Sequence, residues 1–473
     1  MWISHNRRLQ RTAICDIIVM NGGVIMNKSK AVILHPNPDQ RRIVASSARI
    51  STQQGTAMEI YEKSGDVEKD LKLVGKVLSS GHKSVIEHQT VSIAFNDVSV
   101  MAEQFVIEYR LASYTVKSRR YVDFSDAGYV VPDDMSAAVR DVYARSAEAL
   151  FNTYRRLMEL GVPKEDARFV LPYGFRSNFF VTMNARELMH MICAMVRGRG
   201  ARFAEIRALG EQLKRQFDEL YPDVLDAQLK SCNPERVEAS SGDIAVGDAL
   251  LPKVEIIGAP TDPMGLLDTA IRFARRFSGA DEASIRALLA DDRPRELEAL
   301  YYTFRIDHAS LACVTHFTRH RMLSLMLHHE LSALTDGNYV LPESVSQNAQ
   351  AHELYVRAFE AQAAAAREAK NLGANDASLT YFAMAGHTTS MLISMNAREI
   401  LHFAKLRACS RAQWEIRGIA RDLIACLNAT AARPLFRFYG PTCAVTGKCP
   451  EGKMSCGRRV RIVDGEWKTV DKA

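Results

Sequence analysis

The sequence repeats itself at a nearly constant distance along the chain. Met183–Glu187, which reads Met-Asn-Ala-Arg-Glu, recurs as Met395–Glu399 at an offset of 212 residues. Tyr129–Pro132 recurs, with Leu for the second Val, as Tyr339–Pro342 at an offset of 210 residues. Separate motifs at matching offsets indicate a tandem duplication of a unit of roughly 200 residues. Whatever fold one unit adopts is therefore expected to occur twice.

The duplication predicts where the chain divides. Cys232–Pro252 contains Asn, Pro, Ser and Gly, a composition typical of a boundary. We expect the N-terminal leader to be disordered, or to precede a true start at Met20 or Met26, because it imitates a signal peptide poorly. The predicted segments are a leader at 1–29, copy one at 30–231, a linker at 232–253, copy two at 254–440 and a tail at 441–473.

Each copy mixes short strands with long helices. In copy one, Ala31–Pro36 and Val91–Phe95 read as strands, whereas Asp66–Leu78 and Met135–Gly161 read as helices. The two kinds of element do not alternate regularly, which favours an α+β fold over a doubly wound α/β fold. The sequence contains neither a Gly-x-Gly-x-x-Gly turn after a strand nor a Walker loop.

Composition excludes several classes of protein. The chain has 473 residues, is 47% hydrophobic and carries a formal net charge of +6. Its basic and acidic residues are interspersed, so the charge does not by itself indicate nucleic-acid binding. No window approaches the ~18 continuous apolar residues of a membrane span. Nine cysteines, mostly scattered, indicate reduced thiols and a cytoplasmic protein.

Three potentially cationic side chains stand together at Arg319-His320-Arg321, after an apolar approach from Leu311 to Phe317. Their mutual repulsion is relieved by an anion, and guanidinium groups match phosphate bidentately. A solvated basic turn is the alternative interpretation, and this stretch alone does not decide between the two.

The wider pattern resembles the flavin-dependent thymidylate synthases, whose signature is Arg-His-Arg, seven residues, then Ser. Copy two has the triplet at Arg319–Arg321 but His329 at the Ser position. Copy one has the reverse: Glu108–Arg110 replaces the triplet, and Ser118 stands at the expected place. Each copy therefore resembles the family, and each lacks part of its signature.

The resemblance implies that each copy supplies part of the residues of one composite site. Copy one keeps Arg168 where copy two has Ser378, whereas copy two keeps the late motif that contains Arg407. Since sites in the family lie between subunits of a homotetramer, the fused copies are expected to form a pseudodimer and two chains a pseudotetramer. The residues implied for the substrate are Ser118, Arg119, Arg120, Arg168, Arg319 and Arg407. Those implied for the flavin are Ser51, His82, Ser84, Arg319, His320, Arg321, Asn396, Arg398 and His402.

The activity that the resemblance implies is reductive methylation of dUMP to dTMP, or the same chemistry on a related pyrimidine nucleotide. FAD would be the cofactor, with NADPH and methylenetetrahydrofolate as co-substrates. Arg407 would be catalytic, because it would stabilise negative charge developing on the pyrimidine carbonyl. His320 is expected to be neutral and free to hydrogen-bond a flavin. Contacts that only support the fold remain the alternative for His82.

Other functions stay open at this point. Copy two has His316 where the family has Gln, and Thr115-Val116 and Met326-Leu327 stand where Asn-Glu is usual. A non-catalytic protein that binds nucleotide or flavin is therefore the alternative to an enzyme. RNA binding is a weaker third reading, because few aromatic residues stand beside the arginines to stack on bases.

The tail lies beyond the family resemblance. Cys443, Cys449 and Cys456 fall within fourteen residues. With a fourth ligand from elsewhere they could bind zinc or an iron–sulfur cluster. Their spacing is not that of a Cys-x-x-Cys knuckle, which favours the alternative interpretation, free thiols, over a metal site.

Overall fold

A computed structural model describes residues 29–232, 242–274, 276–328, 331–463 and 466–470. The predicted leader, apart from its last residue, lies outside the described residues, and so does 233–241 of the predicted linker. His329, the residue at the signature Ser position of copy two, is also outside them.

Within the described residues, each copy is built around an antiparallel sheet of four strands. The strands of copy one are β1 Lys30–Leu34, β2 Thr90–Ser99, β3 Ala112–Val116 and β4 Arg176–Asn184, in the order β1-β2-β4-β3. Those of copy two are β5 Lys253–Gly258, β6 Tyr301–Ser310, β7 Ser324–Leu327 and β8 Thr388–Asn396, in the order β5-β6-β8-β7. Identical strand order in both sheets confirms the duplication and the α+β class.

The duplication extends to an irregularity of the backbone. The pairing of β2 with β4 shifts register between Phe95 and Val98, and that of β6 with β8 shifts between Ile306 and Ala309. Inside each shift one residue adopts a positive φ, 51° at Asp97 and 60° at His308. A non-glycine residue in this region is uncommon, so two at equivalent places indicate a bulge inherited from one ancestral unit.

Helices flank both sheets. Copy one contains α1 Gln40–Ile50, α2 Ala57–Lys63, α3 Val67–Ser79, α4 Val100–Ile107, α5 Ala137–Glu159, α6 Lys164–Ala167, α7 Ala185–Val196, α8 Ala204–Leu220 and α9 Val224–Ser231. Copy two contains α10 Pro263–Ala274, α11 Glu282–Ala290, α12 Leu311–Phe317, α13 Ser332–Asp336, α14 Glu343–Ser346, α15 Ala349–Asn371, α16 Asp376–Thr380, α17 Ala397–Arg407, α18 Trp414–Asn428 and α19 Arg433–Phe436. The tail forms α20 Thr442–Thr446 and the hairpin β9 Arg459–Val463 with β10 Glu466–Val470. Short 3-10 helices occupy Lys83–His88, Arg168–Val170, Arg199–Arg202, Arg295–Ala299 and Gly452–Met454.

The repeated Asn-Ala-Arg-Glu motif marks the start of a helix in each copy. Asn184 Oδ1 accepts from the amide of Glu187 at 2.9 Å, and Asn396 Oδ1 accepts from that of Glu399 at 2.8 Å. An Asn at this position satisfies a backbone donor that the helix cannot. The motif therefore recurs because it positions α7 and α17 at the ends of β4 and β8.

The two copies share a hydrophobic core. The 23-residue helices α5 and α15 pack side by side. Tyr143 of α5 contacts Tyr381 and Phe382 of copy two. The backbone amides of Ala385 and Gly386 donate to carbonyls of copy one at 2.9 and 2.8 Å. The copies thus form the pseudodimer that the sequence predicted.

Element by element, the strongest patterns were predicted well. The helices expected at Asp66–Leu78 and Met135–Gly161 occur as α3 and α5, and the strand expected at Ala31–Pro36 is β1. No strand was expected at β4, which lies between β2 and β3 in the sheet and pairs with both. Among the described residues no helix is long and apolar enough to cross a membrane.

Candidate active site

A cleft of about 200 Å³ lies where copy one meets copy two and the tail. Copy one contributes Arg120, and copy two contributes residues of α12, of α17 and of the loop after it. Apart from its cysteines, the charged or titratable residues that line the cleft are Arg120, His316, Lys405, Arg407, Arg411 and Glu451. Arg120 and Arg407, 287 positions apart in the sequence, therefore face one cavity.

Arg120 is held at this boundary by partners from both copies. Its Nε lies 2.8 Å from Glu165 Oε1, and its Nη1 donates to the backbone carbonyl of Arg411 at 2.9 Å. Ser118 Oγ accepts from the amide of Arg120 at 3.3 Å, which shapes the turn that carries the arginine. The guanidinium is thus fixed before any ligand arrives.

On the opposite side, three side chains of copy two form a chain of hydrogen bonds. Arg407 Nε donates to His320 Nε2 at 3.0 Å, and His320 Nδ1 lies 2.9 Å from Glu399 Oε1. Because Nε2 accepts, the proton of a neutral ring is on Nδ1 and is donated to Glu399. Arg407 Nη2 also donates to the carbonyl of His316 at 3.2 Å, so the guanidinium has a fixed orientation.

His320 is neutral, as expected, but it is not available to a flavin. Burial lowers the pKa of His320, the bond to Glu399 opposes this, and the charge of Arg407 lowers it further. The sequence-based expectation that the ring would be free to hydrogen-bond a flavin is wrong, because Glu399 and Arg407 occupy both ring nitrogens. His320 instead accepts a hydrogen bond from Arg407 and so orients its guanidinium group.

His316 lies among the positively charged side chains of the site. Burial, and then the charges of Arg407, Arg168, Arg319 and Arg120, keep the pKa of His316 well below its usual value. Its Nε2 is buried and has no hydrogen-bond partner in the described residues. Four arginines from two copies thus surround a neutral imidazole, and such a concentration of positive charge favours an anionic ligand.

The buried arginines lose part of their hydration. Burial lowers the pKa of Arg168 to about 10, with a contribution from Arg119, and lowers that of Arg407 to about 10, with a contribution from Arg319. Arg168 keeps one guanidinium nitrogen, Nη2, without a partner among the described residues. A ligand with acceptor oxygens would satisfy it. Arg168 is not among the residues that line the cleft, however, and together with Arg119 it lines a separate cavity of about 10 Å³.

Arg119 is placed differently from the prediction. It is not among the residues that line the cleft, and it pairs instead with Glu103, which also accepts from Ser177. Glu103 is fully buried, and a buried carboxylate requires such a partner. We therefore correct the assignment of Arg119 to the substrate. Arg319 is exposed and is not among the residues that line the cleft either, but its charge lowers the pKa values of both His316 and Arg407.

The residues predicted for the flavin fall into separate groups. Arg321 donates to Ser113 of copy one at 2.8 Å, and the ring of His402 lies 5.6 Å from that of His320. Asn396 caps α17, and Arg398 Nη1 donates to Glu298 at 2.5 Å, so both already have structural partners. The remaining three, Ser51, His82 and Ser84, are exposed, and in the described part of the chain no hydrogen bond or ion pair joins them to copy two.

The equivalent place on the other side of the pseudodimer has fewer positive charges. Phe105 occupies the position of His316 and Glu108 that of Arg319. Ser378, buried in α16, stands where copy one has Arg168. A cavity of only about 30 Å³ remains beside Phe105 and Glu108, and the arginine that lines it, Arg199, is paired with Glu108. Two arginines are thus replaced, and the charge of a third is neutralised.

The predicted metal ligands do not form a ligand set as their side chains are placed. No group of three or more His, Cys, Asp or Glu residues in the described ranges is close enough to hold a metal ion. Cys443 and Cys449 instead contribute to the wall of the cleft.

Comparison with known families identifies the architecture. The profile of the family described as "Thymidylate synthase complementing protein" matches residues 32–223 and again residues 262–431. The chain belongs to this family. Each match covers most of one copy, although β5 precedes the second match, so the thymidylate synthase complementing unit is present twice.

Individual members of the family correspond to one unit each. A flavin-dependent thymidylate synthase of Geobacter sulfurreducens is 36% identical over 201 residues, which are 41% of this chain and 84% of that protein. Another, from Sulfolobus acidocaldarius, is 29% identical over 195 residues, 41% of this chain and 74% of its own length. A solved UMP/dUMP methylase of Streptomyces cacaoi, bound with 5-Br dUMP, matches 42% of this chain and 94% of its own at 23% identity with a TM-score of 0.36. Structural similarity at that level adds nothing to the family assignment.

The carboxylates that position the predicted site residues were not expected from the sequence. Glu399 orients His320, Glu165 holds Arg120, and Glu103 holds Arg119. Only Glu399 lay in a motif singled out by the repeat. Glu103 gave no signal, since it lies in no motif and its partners Arg119 and Ser177 are 16 and 74 positions away.

Proposed function

We propose that this chain converts dUMP to dTMP at a single composite site formed by both copies. Methylenetetrahydrofolate would supply the carbon and NADPH the reducing equivalents, with FAD as the cofactor. The net reaction consumes dUMP, methylenetetrahydrofolate, NADPH and a proton and yields dTMP, tetrahydrofolate and NADP⁺. The observation that carries the proposal is the common cleft of Arg120 and Arg407.

The phosphate of the nucleotide binds on the copy-one side. Arg120 lines the cleft, and Ser118 has a hydroxyl in the same turn. Arg168 does not line the cleft, but its charge acts on the cleft residue His316 and one of its nitrogens has no partner among the described residues. Arg forks donate paired, charge-assisted hydrogen bonds to a phosphate dianion. Arg319, exposed beside this group, adds a further positive charge.

The pyrimidine ring binds on the copy-two side against Arg407. A guanidinium held at a carbonyl of the ring stabilises negative charge on that oxygen and makes carbon 5 more nucleophilic. His320 and Glu399 fix the guanidinium before the reaction, so little reorganisation is needed when charge develops. The neutral His316 places a polar nitrogen in the same cleft without adding charge.

When bound, FAD supplies the hydride that turns the transferred carbon into a methyl group. The groups of this chain that suit its phosphates and ring edges are the exposed Arg321, His82, Ser84 and Ser51 together with His402. Asn396 and Arg398 support the cofactor surface indirectly, through the start of α17 and the pair with Glu298. Since these groups are separate on one chain, pairing of two chains into a pseudotetramer would bring them together. The site of action is the cytoplasm.

Release of tritium from [5-³H]dUMP tests the proposal, because the hydrogen on carbon 5 leaves only when the methyl group is built. We expect release that depends on FAD, NADPH and methylenetetrahydrofolate, and that is abolished by Arg407→Ala. The matched control is Arg197→Ala, the copy-one counterpart, which should retain activity because Arg197 is exposed and is not among the residues that line the cleft. A protein that binds FAD and dUMP but releases no tritium would instead be a non-catalytic binding protein.

A further inference from the structure

A small cavity between the two copies lies beside two buried arginines of copy one. The cavity has a volume of about 10 Å³ and is lined by Arg119 and Arg168 together with uncharged residues of both copies. Arg119 is 9% exposed and Arg168 is 4% exposed. Burial, and then the charge of Arg119, lowers the pKa of Arg168. Two positive charges are therefore buried around one space.

The charge of Arg119 is compensated, but that of Arg168 is not. Arg119 forms an ion pair with the buried Glu103. Arg168 Nε donates to the backbone carbonyl of Glu165 at 3.0 Å, but in the described part of the chain no carboxylate forms an ion pair with its guanidinium group. The carboxylate of Glu165 is paired with Arg120 instead. Because a buried charge without a partner is costly, the cavity calls for one negative charge.

The other ionisable groups near Arg168 do not supply that charge. The carboxyl group of Glu415 acts on Arg168, but burial raises its pKa to about 7, and both its oxygens accept from Ser310. The thiol of Cys313 is neutral, because burial raises its pKa well above the usual value. Neither group is a fixed negative charge at neutral pH.

Each of the two arginines also has a nitrogen that can donate to a ligand. Arg119 Nε and Arg168 Nη2 are buried and have no hydrogen-bond partner among the described residues. The copy-two residues of the lining are Leu311, Ala312 and Ala385, and their backbone amides already donate to carbonyl groups at 2.9 Å. The two guanidinium nitrogens therefore remain as donors for a ligand in this cavity.

We propose that this cavity binds one monatomic anion, chloride under ordinary conditions, between Arg119 and Arg168. Size favours such an ion, because about 10–15 Å³ is the space that one water molecule needs, and chloride is little larger, whereas phosphate and sulfate do not fit. Charge favours it over water, since water would satisfy the donors and leave the charge of Arg168 uncompensated. Ser378 replaces Arg168 in copy two, so we expect one such site per chain.

Bromide, which scatters X-rays anomalously, tests the site in crystals of the full-length chain. We expect an anomalous peak between the guanidinium groups of Arg119 and Arg168 in the wild type, and none there in Arg168→Met. Arg145→Met is the matched control and should keep the peak, because Arg145 is an exposed arginine that pairs with Glu368. A water molecule in this cavity without anomalous signal, or bromide bound at the surface alone, would overturn the proposal.

Thermal unfolding tests the same site in solution. The Tm of the wild type should be higher in sodium chloride than in sodium gluconate at equal ionic strength and pH, because an ion that binds only the folded state stabilises it. The difference should disappear in Arg168→Met and persist in Arg145→Met. Equal Tm values of the wild type in the two salts would contradict the site, and this comparison stands even if Arg168→Met fails to fold.

Neither measurement uses a nucleotide or a cofactor, so the anion site and the proposed function are tested separately. Protein that releases tritium from dUMP but binds no bromide in this cavity disproves the anion site alone. Protein that binds bromide there but releases no tritium disproves the proposed function alone.

Discussion

Arg407 Nε donates to His320 Nε2 at 3.0 Å, while the other nitrogen of the same imidazole faces Glu399 at 2.9 Å. Glu399 thereby fixes the tautomer that allows the ring to accept from Arg407. The histidine of the Arg-His-Arg signature thus supports Arg407, the arginine proposed as catalytic. Its neighbour Arg321 donates to Ser113 of copy one, and the charges of Glu103 and Arg119 of copy one act on Arg319.

Glu399→Gln should lower kcat by roughly 10- to 100-fold, the cost of one misdirected hydrogen bond to a charged group. The side-chain amide of the new Gln can donate to Nδ1 of His320. The ring proton then lies on Nε2, where it meets the N–H of Arg407, so two donors face each other. Steady-state kinetics of tritium release would measure the change. Glu187→Gln is the control at the equivalent position of copy one, where Tyr109 replaces His320. Equal losses in the two variants would contradict the role of Glu399.

Arg120→Ala should raise KM for dUMP by roughly 10- to 100-fold, because it removes charge-assisted hydrogen bonds to the phosphate. The effect on kcat should be smaller, since the phosphate is remote from carbon 5. Arg145→Ala, an exposed arginine of copy one that pairs with Glu368, should change neither parameter. Unchanged KM in Arg120→Ala would place the phosphate elsewhere.

His316 should remain neutral at pH 5.5. Its pKa is lowered first by burial and then by four arginines, and all of these act against the charged form. The ¹⁵N chemical shifts of the imidazole would show this directly, with Gln in place of His316 used to assign the signals. A ring that becomes protonated near pH 6.5 would show that the arginines do not surround it as described.

The buried Glu415 predicts how stability depends on pH. Its two oxygens accept from the amide and hydroxyl of Ser310, both at 2.6 Å, and burial raises its pKa to about 7. The folded state therefore holds a proton that the unfolded state releases near pH 4.5. It follows that the free energy of unfolding falls as pH rises from about 4.5 to about 7, by on the order of 3 kcal/mol from this group.

Glu415→Gln removes that titration. The decrease in Tm between pH 5 and pH 8 should be smaller in this variant than in the wild type. Glu360→Gln alters an exposed carboxylate of α15 and should leave the decrease unchanged. The same pH dependence in Glu415→Gln and wild type would mean that Glu415 is ionised in the folded protein at pH 5.

The repeat made much of the fold predictable. Offsets of 210 to 212 residues can persist only if equivalent elements keep their lengths, and Asn184 and Asn396 do start equivalent helices. Likewise, an Arg-His-Arg in one copy and a Ser-Arg-Arg in the other pointed to a site between them. Arg120 and Arg407 in one cleft agree with that expectation.

What the sequence could not show were contacts made by packing. From the sequence, Arg119 was expected to bind phosphate together with Arg120, but it forms an ion pair with the buried Glu103. His320 looked free, yet both its nitrogens are used by residues 79 and 87 positions away. In the sequence Cys409 is an isolated cysteine, but in the structure it lines one cavity with the three cysteines of the tail. Such pairings depend on which surfaces meet, and short motifs do not encode that.

The number of dUMP molecules bound per chain tests the central claim, that two incomplete copies make one site. Isothermal titration of the FAD-loaded protein should give one dUMP per chain, with binding weakened in Arg120→Ala and in Arg407→Ala and retained in Arg197→Ala. Two dUMP molecules per chain, or binding that is lost in Arg197→Ala but kept in Arg407→Ala, would contradict a single site shared between the copies.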